Sequence, residues 1–407
     1  PGFQWWDLTW KPPGGSRRTG RTRRPNNRDR LQGGRVPIMD NETVAQSLAE
    51  LRQLATRFLP AAEVASLTFQ RPPTVGFSGS PVWLLACAET GPRYVLKQLP
   101  AAVSPAQIAW THGLAFQLVA EELTQVPVPL PLLTGVECEQ QPGRFAITAA
   151  GQHWQCLPFR PGQAIASPTP SDVLAAVTCL ARLHQAAAGF RMAMPHARQT
   201  GWQLRISQFN QLAHEGLAGP LAGLVSHSGT ACAARTRLLR VRREAAVLLA
   251  AIDCQKLASR LAGRRCEGPV QPVLRDCWWA HVLFETAAEG SRVSGIIDLD
   301  AAGIDTPAVD LARLLGSWQL EGGDPSPPLA ARWPQAVKRY VEICQPAGDF
   351  LADIQVLHDT AVICGLDRWC RWLFSEGREF PDLHRVADRL EALLRALPAA
   401  ISRLERV

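Results

Sequence analysis

The sequence predicts an α+β protein of two lobes, a small antiparallel β-rich lobe followed by a large, mainly helical lobe. Short β-like runs, separated by Pro, Gly and Ser clusters, occupy the chain up to about residue 159, a spacing typical of an antiparallel meander. Long helical patterns then run from Ser171 to the C-terminus, interrupted by one β-like stretch between residues 273 and 300. An Arg-Pro-Gly run ending at Gly162 marks the change, so we expect a lobe boundary and hinge at about residue 160.

Length, composition and charge set the outline of the two lobes. At 407 residues, 46% hydrophobic and 19% charged, the chain can bury a sizeable core. Residues 1–38 hold nine basic and two acidic side chains, which accounts for the whole net charge of +7 and leaves the remainder neutral. We therefore expect the folded body, divided into residues 39–160 and 161–407, to have no nucleic-acid partner.

The basic segment 1–38 is rich in Gly and Pro and lacks both periodicity and the apolar stretch of a secretory signal, so we expect it to be disordered. Met39 stands directly before the first amphipathic pattern, which favours a start-site artefact over a nucleic-acid arm or a mitochondrial presequence.

The cysteines and the apolar segments indicate the compartment. Eleven cysteines are an odd number and contain no C-x-x-C pair, which indicates reduced thiols in a cytoplasmic protein. No uncharged apolar run approaches the roughly 18 residues that span a bilayer. We expect a soluble, cytoplasmic protein without a membrane partner, and the oligomeric state stays open.

Two helices and five strands are predicted in the β-rich lobe. Apolar residues recur at helical spacing from Val44 to Phe58, behind Asp40 as a cap candidate. A second helix is predicted from a Ser104 cap to about Leu123. The β-like runs are LTFQ (67–70), VWLLACAE (82–89), RYVLKQL (93–99), RFAITAA (144–150) and HWQCLPF (153–159).

The most informative stretch, residues 273–318, reads as loop, strand, turn, strand, loop and helix. Its two strands, about 281–285 and 293–297, run antiparallel, so the first begins where the second ends. Asp276 and Asp298 are therefore expected at the same end of the hairpin. Two converging carboxylates suit phosphoryl transfer, in which one orients and deprotonates the attacking hydroxyl and the other holds Mg²⁺ against the phosphates.

This stretch resembles the H-x-D-x-x-x-x-N loop and the I-D-x-x-x-x-x-x-G-D-P-x-x-D-L-A motif of the aminoglycoside phosphotransferase and choline kinase family. The resemblance covers about residues 70–375 and implies a protein-kinase-like two-lobed fold. It also implies an ATP- and Mg²⁺-dependent phosphotransferase that acts on a hydroxyl of a small-molecule substrate. In it, Asp276 resembles the catalytic-loop aspartate, Asp298 the metal-binding aspartate and Asp310 a structural aspartate at a helix start.

Two positions of the loop depart from the family pattern. Leu274 stands at the motif histidine and His281 at the motif asparagine. An imidazole is a poor Mg²⁺ ligand and suits transition metals better. Either the second metal is lost, or His281 hydrogen-bonds Asp276 or a phosphate, or it is a packed histidine at a strand start, so it is retained as both a catalytic and a metal candidate.

The β-rich lobe carries the candidate nucleotide contacts. Backbone amides in the turn VGFSGSPVW could cradle phosphate, at Gly76, Ser78, Gly79 and Ser80. One strand later, Lys97 stands where a kinase places the lysine that contacts the α and β phosphates. HWQCLPFRPG resembles the hinge strand, whose backbone at Cys156 and Leu157 would meet adenine.

The lysine should pair with a glutamate on the next helix, yet that helix offers only Gln and His residues before Glu121 near its end. Glu121 is therefore a candidate partner. The missing glutamate and the two departures also support a nucleotide-binding pseudokinase, and an interaction scaffold with the same fold is a further alternative. His184, in LARLHQAA, resembles a residue of the helix supporting the catalytic loop and is predicted to be structural.

Overall fold

The structure is a computed structural model that describes residues 48–72, 80–100, 102–133, 144–195, 199–217, 231–264, 269–287, 290–322, 324–380 and 382–406. The segment 1–38, the Asp40 cap candidate and three residues of the predicted phosphate turn (Gly76, Ser78 and Gly79) lie outside the described residues.

The N-terminal part is built on one antiparallel sheet. Its elements are α1 (Leu48–Ala55), α2 (Ala61–Ser66), β1 (Leu67–Gln70), β2 (Val82–Cys87), β3 (Gly91–Gln98), α3 (Pro105–Ala120), β4 (Ile147–Ala149) and β5 (Gln152–Pro158). The strand order is β1-β2-β3-β5-β4. The five strands predicted from the sequence are confirmed, with ends that differ by at most three residues.

The helix α3 begins as predicted. The Ser104 side chain accepts a hydrogen bond from the Gln107 amide at 3.2 Å, which satisfies one of the free amides of the first turn. The helix ends at Ala120 rather than Leu123, because the chain turns into the left-handed region at Glu122, with φ of 65°. In front of it, β3 places Lys97 opposite Val82 on one side and Gln155 on the other.

The rest of the chain is mostly helical. Its elements are β6 (Gln163–Ala164), α4 (Pro170–Ala188), α5 (Gly201–Glu215), α6 (Ala231–Ala250), α7 (Cys254–Gly263), β7 (Gln271–Val273), β8 (Val282–Ala287), β9 (Gly290–Ile296), β10 (Gly303–Asp305), α8 (Ala308–Gly322), α9 (Leu329–Arg332), α10 (Pro334–Cys344), α11 (Phe350–Cys370) and α12 (Leu383–Leu404). The predicted β-like stretch is the hairpin β8-β9. The short strands β6, β7 and β10 were not predicted, because two or three residues carry no periodicity.

The hairpin is part of a three-stranded sheet of order β6-β8-β9, and β7 pairs with β10 in a second, two-stranded sheet. The segment after β5 therefore docks directly on the hairpin. Gly162 has φ of 122°, and a side chain there would collide with Ser294 and come within 2.9 Å of the Phe284 carbonyl. Glycine is required at this approach.

The helices enclose one large apolar core. It is built mainly from α4, α8, α11 and α12, and it buries Trp369, Trp372 and Phe374. These aromatic residues are therefore part of the helix core. No described helix is long and apolar enough to cross a membrane.

Candidate active site

Two loops place carboxylates at the open end of the hairpin, and both adopt an unusual backbone. Arg275, just before Asp276, has φ of 63°, and Asp298, just after β9, has φ of 64°. Left-handed backbone at a non-glycine residue costs about 1–3 kcal/mol and persists only where surrounding contacts impose it. Such positions cluster at functional sites, and each of these two lies at or directly beside a candidate site aspartate.

His281 lies between the two predicted site aspartates. Its Nδ1 is 2.8 Å from the backbone oxygen of Asp276, and because a carbonyl can only accept, Nδ1 carries the proton. Its Nε2 faces Asp298 Oδ2 at 3.7 Å. The hairpin therefore brings Asp276 and Asp298 to the same end, as the sequence predicted. His281, directly before β8, contacts the loop that carries Asp276.

Lys97 reaches across from β3 to the second loop. Its Nζ donates to Asp298 Oδ1 at 2.6 Å and lies 2.8 Å from Asp300 Oδ2. Burial opposes the charge of Lys97, but the two carboxylates outweigh it, so the lysine pKa is raised. The same ammonium overcomes the burial of Asp298 and lowers its pKa to about 2. For Asp300 burial prevails, and its pKa is raised.

Asp300 is a site residue that the sequence reasoning missed. It lies in a single 3-10 turn, Leu299–Ala301, directly after Asp298. Its carboxyl group is 12% exposed, compared with 35% for Asp298. The D-L-D spacing was a usable signal, because residues two apart in this turn both reach the same ammonium.

Arg313 is a second missed residue. Its Nε and Nη2 both contact Asp276 Oδ1, at 3.1 and 3.0 Å, and its guanidinium lies 5.6 Å from the ring centre of Trp278. It stands on α8 three residues after Asp310, so the two side chains share one helix face. The spacing of Asp310 and Arg313 could have indicated that α8 contacts the loop that carries Asp276 through both side chains.

Asp310 contacts the backbone of the loop that carries Asp276, which agrees with its predicted structural role. It is completely buried and its Oδ2 accepts from the Leu274 amide at 2.7 Å and from His184 Nε2 at 3.0 Å. The other nitrogen of His184 meets the Tyr340 hydroxyl at 2.7 Å. His184 is thus structural, as predicted. Leu274, which stands where the family motif has histidine, contributes its backbone amide to this network, and its side chain is buried.

Asp305 holds the other side of the loop. Its Oδ2 accepts from the Gly201 amide at 2.7 Å and lies 3.2 Å from Arg275 Nε. Burial outweighs the charge of Arg275 and raises the pKa of Asp305 to about 6. Thr306, in the aspartate position of the family motif, instead accepts weakly from the Ala308 amide at 3.4 Å with its hydroxyl. Asp305 therefore supplies a carboxylate one residue earlier than the family pattern.

Comparison with known proteins identifies the family. The profile of the phosphotransferase enzyme family matches residues 70–336, about two thirds of the chain and all of the site described above. The chain belongs to the phosphotransferase enzyme family. No curated protein matches it in a sequence search.

Solved structures agree on the fold of this phosphotransferase family member. It is similar to spectinomycin phosphotransferase in complex with ADP and spectinomycin, with 9% identity, a TM-score of 0.51, and coverage of 84% of this chain and 93% of that one. It is also similar to an amicoumacin kinase in complex with AMP-PNP, Ca²⁺ and amicoumacin, with 14% identity, a TM-score of 0.50, and coverage of 86% and 93%. The protein-kinase-like two-lobed fold is therefore confirmed.

The Cys156 side chain is fully buried in the small apolar core, and its backbone oxygen accepts from the Leu130 amide at 2.8 Å. The backbone contacts of Cys156 and Leu157 with a nucleotide stay predictions. The predicted partner of Lys97 is corrected by the structure. Glu121 caps the end of α3 and accepts from Gln117 at 3.0 Å, so it is not the partner of Lys97.

Ser80 is the described residue of the predicted phosphate turn. It lies two residues before Val82, which is paired with Lys97 across β2 and β3. Ser80 therefore lies close to the lysine along the sheet, and phosphate binding by this turn stays a prediction.

Proposed function

We propose that the chain is an ATP-dependent phosphotransferase that moves the γ-phosphate to a hydroxyl of a small molecule. The observation that carries this proposal is the convergence of Lys97, Asp298, His281 and Asp276 in one continuous series of contacts, with distances of 2.6, 3.7 and 2.8 Å. A cation for phosphates, a carboxylate for a metal and a carboxylate for a hydroxyl are the parts that phosphoryl transfer uses.

The residues present fit a bound Mg²⁺. In the described part of the chain, no group of three or more His, Cys, Asp and Glu side chains is arranged to hold a metal ion. Mg²⁺ does not need such a cage, because it is usually held by one or two carboxylates, water and substrate phosphates. Asp298, one third exposed, would hold it, and the ion would neutralise charge on the phosphates. His281 is a weaker candidate ligand, since Mg²⁺ prefers oxygen over imidazole nitrogen.

The chain's own residues would divide the remaining work. Lys97 would bind the α and β phosphates, with the turn ending at Ser80 beside them. Arg313 contacts Oδ1 of Asp276, and Oδ2 would accept a hydrogen bond from the acceptor hydroxyl and orient its oxygen. Because the attacking group is a hydroxyl, a general base at this position would take its proton during transfer.

A nucleotide-binding pseudokinase is the second candidate. It is favoured by the pairing of Asp276 with Arg313 and by His281 at the asparagine position. As a pseudokinase, the chain would bind nucleotide but would not transfer phosphate.

Nucleotide binding by the full chain tests both candidates. Calorimetry with ATP and Mg²⁺ should show metal-dependent binding that Asp298→Ala abolishes, and a screen of small hydroxyl compounds should then show phosphate transfer that Asp276→Asn abolishes. Binding without transfer to any hydroxyl compound would favour the pseudokinase. Absence of binding would refute both candidates and favour a scaffold.

For the cellular site we propose the cytoplasm, supported by the eight described cysteines, all of which are free thiols.

A further inference from the structure

The partner of Lys97 is not where a kinase-like fold normally supplies it. In protein kinases the strand lysine must be paired with a glutamate of the following helix for the site to be assembled. Here the following helix, α3, has the sequence PAQIAWTHGLAFQLVA, without an acidic residue. Glu121, directly after it, is bound by Gln117 at 3.0 Å. The lysine nevertheless has a raised pKa and two carboxylate contacts.

The two carboxylates on Lys97 differ in their surroundings. Asp298 is 35% exposed, whereas Asp300 is 12% exposed. The amide of Asp300 also donates to the Asp298 carboxylate, so the turn fixes both groups relative to each other. If Asp298 is engaged by a metal ion, its charge is no longer fully available to the lysine. Asp300 is then the carboxylate that keeps Lys97 in place.

The helix α3 braces this arrangement without touching the ammonium. Gln107 Nε2 donates to the backbone oxygen of Ala302, at the end of the turn that carries Asp300, at 3.3 Å. His112 Nε2 lies 2.8 Å from Gln155 Oε1, and Gln155 is directly opposite Lys97 in the sheet. Directly opposite residues present their side chains on the same face, so α3 packs on the face from which the lysine projects.

We infer that Asp300 takes the place of the helix glutamate, holding the Lys97 ammonium for the phosphates of the nucleotide. It is a positioning residue, because it acts on the nucleotide through Lys97. The α3 helix then influences the lysine by supporting the turn Leu299–Ala301 and strand β5 rather than by an ion pair. This inference rests on the proposed function and adds to it a device that the family motif does not contain.

A double-mutant cycle on ATP affinity tests the inference. Calorimetry with ATP and Mg²⁺ is performed on the full chain, on Asp300→Asn, on Lys97→Met and on the double variant. Asp300→Asn should weaken ATP binding about 10- to 100-fold, the range expected when a charged hydrogen-bond partner is lost. In the Lys97→Met background the same change should have little further effect, because coupled residues are not additive.

Two further variants sharpen the result. Asp300→Glu keeps the carboxylate and should recover most of the affinity. Asp253→Asn makes the same chemical change at an exposed residue that caps α7, where Asn is an equally good cap, and it should bind ATP like the unchanged chain.

The outcomes separate this inference from the proposed function. Unchanged ATP affinity in Asp300→Asn, or effects that simply add in the double variant, would overturn the positioning role while leaving the phosphotransferase intact. If the unchanged chain binds no ATP, the proposed function fails, and the role of Asp300 fails with it.

Discussion

The buried carboxylate of Asp310 allows the most quantitative test of the site's architecture. It is completely excluded from solvent and accepts hydrogen bonds from the Leu274 amide and from His184, at 2.7 and 3.0 Å. Asp310→Ala removes both acceptor contacts and leaves two buried donors without their partner. Each unsatisfied buried donor costs about 1–3 kcal/mol. The expected loss in the free energy of unfolding is therefore about 2–6 kcal/mol, since the two costs arise together.

This loss can be measured by urea unfolding of the full chain, in which the midpoint falls while the slope stays the same. Asp310→Asn should lose less, because its amide oxygen can still accept from one of the two donors. Asp388→Ala is a matched control, since Asp388 is 64% exposed and its ion pair with Arg237 lies at the surface. Exposed pairs contribute about 0–1 kcal/mol. The reasoning is refuted if Asp310→Ala costs no more than the control.

The other predictions concern chemistry, packing and pH. Asp276→Asn should lower the phosphate-transfer rate by about 10²–10⁴-fold, the usual contribution of an acid or base, while the melting temperature stays close to that of the unchanged chain. A transfer assay measures the rate and thermal denaturation measures the melting temperature. Full activity would rule Asp276 out as the base. Gly316→Ala should destabilise the chain by about 1–3 kcal/mol, because the added methyl group would collide with His358. Gly263→Ala, which has open space around the added methyl group, should leave the free energy of unfolding unchanged in the same denaturation assay. Equal effects of the two changes would contradict the packing argument. Burial, with Arg403 and Arg389 nearby, lowers the pKa of His358 to about 3, so the unfolded chain takes up this proton at a higher pH than the folded one. The stability that neutral His358 contributes is present above pH of about 6.5 and decreases towards pH 3. In urea unfolding between pH 4 and 7, His358→Gln should therefore lose less stability on acidification than the unchanged chain. Parallel plots of unfolding free energy against pH for the two chains would contradict this.

The sequence was sufficient for the local parts of the fold and the site. The Ser104 cap, the strand that carries Lys97, and the hairpin that brings Asp276 and Asp298 together all follow from spacing over short segments. Motif spacing also identified Asp310 as structural. These features are encoded within a few tens of residues, so a single sequence suffices to predict them.

The unpredicted features depend on contacts between distant segments. Lys97 and Asp298 are 201 residues apart in sequence, so the D-L-D spacing by itself does not show which cation the two aspartates share. Arg313 was overlooked for a related reason, because its partner lies 37 residues earlier on a loop whose shape depends on left-handed backbone at Arg275. The engagement of the Cys156 carbonyl likewise depends on Leu130, in a separate extended segment.

The docking of β6 on the hairpin β8-β9 has a mechanical consequence. A strand that is hydrogen-bonded into a sheet moves with that sheet, and Gln163 and Ala164 pair with Phe284 and Leu283 of β8. Residues 163 and 164 therefore belong to the unit that carries Asp298, although they follow β5 by only a few residues. The Ile296 amide of β9 also donates to the Gln125 carbonyl at 3.1 Å, so the hairpin is tied to the chain both before and after the five-stranded sheet is completed.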